Sequence, residues 1–115
     1  MKKEMFRLKV LEEAEKFLEA LPTKAMDKVY YNIHRIVAGE RDRDLFKKLE
    51  NTDIWDFRTL YDKTAYKLFA FWDKEEDVLI VATHGIVKKT QKTPPKEIAK
   101  AEAIMREFFA KKHKK

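Results

Sequence analysis

An α+β fold in the order β-α-α-β-β-β-α is predicted by three observations in this 115-residue sequence. Apolar residues from Leu11 to Val37 recur every three to four positions, the spacing of amphipathic helices. From Ile54 to His84 the period falls to two, interrupted by the polar turns "DKT" and "DKEED", as in an antiparallel meander. After Pro94 and Pro95 the helical period returns.

Each element has its own signal. Met5 to Leu8 predicts a short opening strand, and from Lys9 the pattern turns helical, with Leu11, Ala14, Phe17, Leu18 and Leu21 on one face. Pro22 stops that helix and Thr23 is the expected cap of the next. Its apolar stripe is Met26, Val29, Tyr30, Ile33, Ile36 and Val37, and Gly39 is placed to close it. So short a break predicts an antiparallel helical hairpin. A charged loop, "ERDRD", and the stretch "LFKKLE" lead to a turn at "NTD".

Strand alternation then puts Trp55, Phe57, Thr59 and Tyr61 on one face, and Ile54, Asp56, Arg58 and Leu60 on the other. The next strand alternates Tyr66, Leu68, Ala70 and Trp72 with Ala65, Lys67, Phe69 and Phe71. "VLIVATH" is the last, with His84 at its end. The middle and last strands are apolar on both faces, so a layer is expected on each side. Thr93 or Pro94 opens the final helix, whose buried stripe is Ile98, Ala101, Ile104, Met105, Phe108 and Phe109. No repeat or linker divides residues 1–115, which predicts one domain.

Charge is unevenly spread. The net is +6, yet residues 1–83 hold 16 basic and 17 acidic side chains, and residues 84–115 hold 10 and 3. Such asymmetry is expected of a phosphate-facing surface. The tail "KKHKK" reads as a solvated end. Lys88, Lys89, Lys92 and Lys96, within nine positions and not terminal, fit that reading less well. Gly85 is expected to let the chain leave the sheet there, and the two prolines to fix where the last helix starts.

Composition excludes several chemistries. Without serine or cysteine there is no Ser-His-Asp or Cys-His hydrolase, and no disulfide. Neither phosphate-binding glycine motif occurs. His34, His84 and His113 lack ligand spacing, so neither a metal nor another cofactor is expected. The N-terminal stretch has no signal-peptide core, and no segment approaches the ~18 apolar residues of a membrane span. A cytoplasmic location without membrane attachment is therefore expected.

What remains is a set of cations beside apolar strands: Lys47, Lys48, Arg58, Lys67, His84, Lys88, Lys89 and Lys92. Arg58 stands out as the one arginine between positions 44 and 105, with Asp56 as its same-face neighbour. A tight hairpin register would set Lys67 beside it. Such a cluster suits RNA cleavage through the RNA's own 2′-hydroxyl, which needs a base, an acid and positive charge on the phosphate. Neighbouring cations lower a lysine's pKa toward a useful range. Phosphate binding without chemistry would use the same cluster.

The phrases "LFKKLENTDIWDFRTLY", "AYKLFAFWDK" and "HGIVKKTQKTPPKEIAKAE" resemble the phage-derived, HigB-like branch of the RelE/ParE toxin superfamily. The resemblance implies a RelE-like α+β domain, with a helical hairpin packed on a curved antiparallel sheet and a C-terminal helix. It implies the toxin of a type II toxin-antitoxin system, an endoribonuclease (mRNA interferase) that cuts mRNA in the ribosomal A site without a metal. Its partners would be mRNA on the ribosome and a small helix-turn-helix antitoxin. The family's basic surface maps here onto Arg58, His84, Lys88, Lys89 and Lys92 as catalytic candidates, with Lys47, Lys48, Lys67 and Lys96 binding RNA or ribosome. Relatives commonly carry a late arginine and a C-terminal tyrosine. Here the late position is His84 and no tyrosine follows Tyr66, so proton transfer would fall to His84 and a lysine. The alternatives are a non-catalytic RNA-binding or antitoxin-binding protein of the same fold, and a ParE-like gyrase inhibitor.

Overall fold

The computed structural model describes residues 6–76, 79–89 and 92–114. In chain order the elements are β1 (Arg7–Val10), α1 (Glu12–Glu19), α2 (Thr23–Val37), β2 (Phe46–Lys48), β3 (Trp55–Tyr61), β4 (Thr64–Asp73), β5 (Leu79–Lys88) and α3 (Pro95–Lys112). This is the predicted α+β order with one strand added. β2 is three residues long, too short for a period of two to register. It is held where Phe46 stacks on Phe57 and Trp55, with centroids 4.3 and 4.8 Å apart. The sheet runs β1-β5-β4-β3-β2, with β1 parallel to β5 and the other pairs antiparallel.

Several boundaries move. Met5 lies outside the described residues, and the opening strand extends past Leu8 to Val10. Lys9 and Val10 pair with Val81 and Ala82, so ladder bonding overrides the helical period there. Thr23 does not cap α2 but lies within it. Pro22 holds the extended N-cap position, and its carbonyl accepts the first helical bond from Met26 N–H at 2.9 Å. Gly39 closes α2 as expected, with φ 102°, a region open to glycine at little cost. α3 starts at Pro95, with Pro94 as its N-cap.

Both faces of the sheet are covered. On one, Ala14, Leu18, Val29, Ile33 and Ile36 from the helical hairpin pack on Phe57, Leu68, Ala70, Ile80 and Ala82. On the other, Ile98, Ala101, Met105, Phe108 and Phe109 of α3 pack on Ile54, Phe69, Phe71 and Val81. Phe69 and Phe71 are fully buried, each burial contributing roughly 1.5–3 kcal/mol. Ile104 is half-buried and stands outside that cluster.

β5 carries a bulge. Phe69 pairs with His84 but Ala70 pairs with Ala82, leaving Thr83 as the extra residue. An inserted residue reverses the alternation beyond it. His84, Ile86 and Lys88 therefore share the α3 face with Lys67 and Phe69, whereas an unbroken strand would have turned them toward the hairpin.

Two expectations are corrected nearby. The last strand continues through Lys88, so His84 is not at its end, and Gly85 does not release the chain from the sheet. Gly85 pairs with Leu68 inside β5, and the aromatic ring of Phe17 fills the space a side chain would need. A Cβ there would sit 2.2 Å from Phe17 Cδ2. The tail is also not simply a solvated end. Lys112 Nζ lies 2.6 Å from the buried carboxylate of Asp73, and His113 Nε2 lies 2.6 Å from Glu75. No helix among the described residues is long and apolar enough to cross a membrane.

Candidate functional site

The part of the α3 face nearest the helix's first turn is polar. Three registers assemble it. Lys47 of β2 pairs with Asp56, Arg58 of β3 pairs with Lys67 of β4, and Lys88 of β5 pairs with Ala65. Opposed residues share a face of the sheet, so Lys47, Arg58, Lys67 and Lys88 converge on one surface around a single acid, Asp56.

Arg58 is held by Asp56, with Nη2 3.3 Å from Oδ2. The carboxylate is fully buried, while the guanidinium side chain keeps 16% of its surface exposed. Among the described residues, Asp56 Oδ1 and Arg58 Nε are buried without a hydrogen-bond partner. The pair therefore retains bonding capacity, at a cost of about 1–3 kcal/mol for each unsatisfied group.

Lys67 is the most unusual side chain here, a lysine with 0% of its surface exposed. Its Nζ donates to Thr93 Oγ1 at 2.9 Å, and Thr93, in the segment before α3, is half-buried. Burial is the main cause holding its pKa below the ordinary lysine value, followed by the positive charge of Arg58. Lys47 and Lys88 push the same way, and Asp56 opposes them.

His84 is placed differently from the sequence expectation. It is 3% exposed and stacked on Phe69, with centroids 4.9 Å apart. Nε2 lies 3.1 Å from Glu97 Oε1 and Nδ1 lies 2.9 Å from Thr83 Oγ1. Desolvation lowers its pKa, outweighing the opposite effect of Glu97. The neutral ring then donates from Nε2 to the carboxylate and accepts from Thr83 at Nδ1. With both nitrogens engaged, His84 ties the first turn of α3 to the sheet and offers no free nitrogen to a substrate.

The remaining candidates divide. Lys48 pairs with Trp55 on the opposite face from Lys47 and stands apart from the cation row. Lys89, Lys92 and Lys96 are exposed around the connector and form no ion pair among the described residues. Sequence reasoning missed Thr93 and Glu97. Glu97 lies in the first turn of α3, where a carboxylate also suits the helix dipole.

The family described as Phage derived protein Gp49-like (DUF891) matches residues 16–106, from α1 through most of α3. No curated protein matches the chain.

Proposed function

The chain belongs to the Gp49-like family of phage-derived proteins, within the RelE/HigB-like toxin superfamily, and from that premise we propose a specific activity. It is the toxin of a type II toxin-antitoxin system, of the HigB-like branch, and it cuts mRNA on the ribosome in the cytoplasm. A small helix-turn-helix antitoxin restrains it.

One observation carries this reading: Arg58 and Lys67 face each other on a surface that also holds Lys47 and Lys88. RNA cleavage through the 2′-hydroxyl asks for positive charge at the phosphate and a group that takes a proton near neutral pH. Arg58, partly exposed and fixed by Asp56, suits the phosphate oxygens with its planar fork of donors. Lys67, whose pKa burial and the positive charge of Arg58 lower from the ordinary lysine value, is the proton acceptor in its neutral form. Lys47 and Lys88 add attraction for the backbone, with exposed Lys89, Lys92 and Lys96 at the approach. His84 acts as a positioning residue, which replaces the proton-transfer role expected from sequence.

The test is purified protein added to a translation system programmed with a defined message. Cuts within codons at the stalled position are expected, and Arg58→Ala should suppress them. Intact message at high protein concentration, with salt-sensitive RNA retention, would instead identify a binding protein of the same fold.

A further inference from the structure

A fully buried lysine cannot touch the hydroxyl whose proton it is to receive. Thr93 can bridge that gap. Its oxygen lies 2.9 Å from Lys67 Nζ, and the residue itself is only half-buried. The pair thus joins the buried amine to a residue that is itself partly exposed, and Arg58, whose guanidinium side chain is 16% exposed, stands opposite Lys67 in the ladder. The charged groups facing Lys67 are Arg58 and Asp56 from β3, Lys47 from β2 and Lys88 from β5. Three of these four favour the neutral amine, whose nitrogen lone pair can accept a hydrogen bond from a hydroxyl.

We infer that Thr93 is a catalytic residue that relays the RNA's 2′-hydroxyl proton to Lys67. This rests on the cleavage reading above. In the step, the 2′-O–H bond breaks and its proton passes to Thr93 Oγ1. The proton already on Oγ1 passes to neutral Lys67 Nζ, which becomes an ammonium. The freed 2′-oxygen bonds to the adjacent phosphorus, and the bond from phosphorus to the 5′-oxygen breaks. That oxygen leaves with the electron pair and takes a proton from water, which is left as hydroxide in solution and balances the new charge on Lys67. The products are a 2′,3′-cyclic phosphate and a 5′-hydroxyl, and Thr93 ends the step with one proton, as it began.

The experiment compares wild type, Thr93→Val and Thr93→Ser in single-turnover cleavage of ribosome-bound message, together with ribosome affinity and a proton inventory in mixed light and heavy water. Valine keeps the shape and removes the hydroxyl, whereas serine keeps the hydroxyl. The expected result is a loss on the order of 100-fold in cleavage rate for Thr93→Val, a general acid-base contribution of ordinary size. Ribosome affinity stays unchanged, serine restores most of the rate, and the wild-type inventory curves as two moving protons require. Thr93→Val cutting at the wild-type rate would overturn the relay while leaving the cleavage reading intact. So would serine and valine variants that are equally slow, or a valine variant that loses ribosome affinity in step with cleavage. Wild-type protein that cuts nothing would remove the cleavage reading and the relay together.

Discussion

Arg58 and Lys67 stand directly opposite each other in the β3–β4 ladder, two cations on one face with the buried carboxylate of Asp56 beside them. Like charges in that relation destabilise a sheet, so the arrangement is maintained against its own electrostatic cost. Removing Arg58 should have two separable effects. Arg58→Ala removes the proposed phosphate contact, and cleavage should fall about 100-fold, the usual scale for one preorganised donor. It also removes a positive charge that depresses the Lys67 pKa. The rising limb of the pH–rate profile should therefore move to higher pH, a shift that loss of binding alone does not produce.

Lys67 gives a stability prediction of unusual sign. Its folded pKa lies below its unfolded value of ~10.4. Between the two, the unfolded chain binds more protons, so stability rises with pH across that window. Lys67→Met should abolish cleavage and flatten this rise. Because a buried ion gives way to a buried apolar chain, stability at neutral pH should be unchanged or higher, by about 1–4 kcal/mol in favourable cases. Urea midpoints from pH 7 to pH 10 for both proteins measure it.

Much of the scaffold was legible in the sequence because burial has a period. The stripes of α1 and α2 fall where the helical period puts them, except that Tyr30 at the edge of the α2 stripe is exposed; the two faces of β3 and β4 follow alternation, and Arg58 with Lys67 follow from a tight hairpin. The bulge at Thr83 was not legible, since an inserted residue leaves no trace in an apolar run such as "VLIVAT". It decides the site all the same, because it turns His84 and Lys88 toward Lys67. Thr93 and Glu97 escaped for a related reason. Their partners are 26 and 13 residues away, and only tertiary packing brings them together.

Gly85 is required by Phe17, from the opposite layer to the candidate site. Gly85→Ala would place a Cβ 2.2 Å from Phe17 Cδ2, and so tight an overlap should cost about 1–3 kcal/mol. Phe17→Leu opens a space of its own and should be destabilising alone. The double variant should be less destabilised than the sum of the two, and a double-mutant cycle on urea midpoints reads that coupling.

Asp73 ties the end of α3 to the sheet. Burial would raise its pKa, but hydrogen bonds from Lys112 and from the Glu75 backbone outweigh that and leave it below the ordinary value. A depressed carboxylate stabilises fully above its unfolded pKa, and that contribution is lost as pH falls through the folded one. Lys112→Met should lower the urea midpoint at pH 7, and the gap from wild type should close as the solution is acidified past that range. A gap independent of pH would mean that Lys112 acts through packing alone.

His84 and Glu97 join the last helix to the cation row, and the bond has a pH signature of its own. The folded pKa of His84 is depressed, chiefly by desolvation. Below ~6.5 the unfolded chain therefore takes up a proton that the folded chain resists, and stability falls as pH drops toward the folded value. His84→Phe keeps an aromatic ring against Phe69 while removing both hydrogen bonds. Its unfolding free energy from urea titration should be lower at pH 7.5 by about 1–3 kcal/mol, the cost of leaving Thr83 and Glu97 without these partners, and the decline between pH 7 and pH 5 should shrink. Cleavage should fall further than stability does, because the connector carrying Thr93 enters α3 through the turn that His84 holds. If instead His84 exchanged protons with the RNA, His84→Phe would erase the acid limb of the pH–rate profile rather than scale the rate evenly across it.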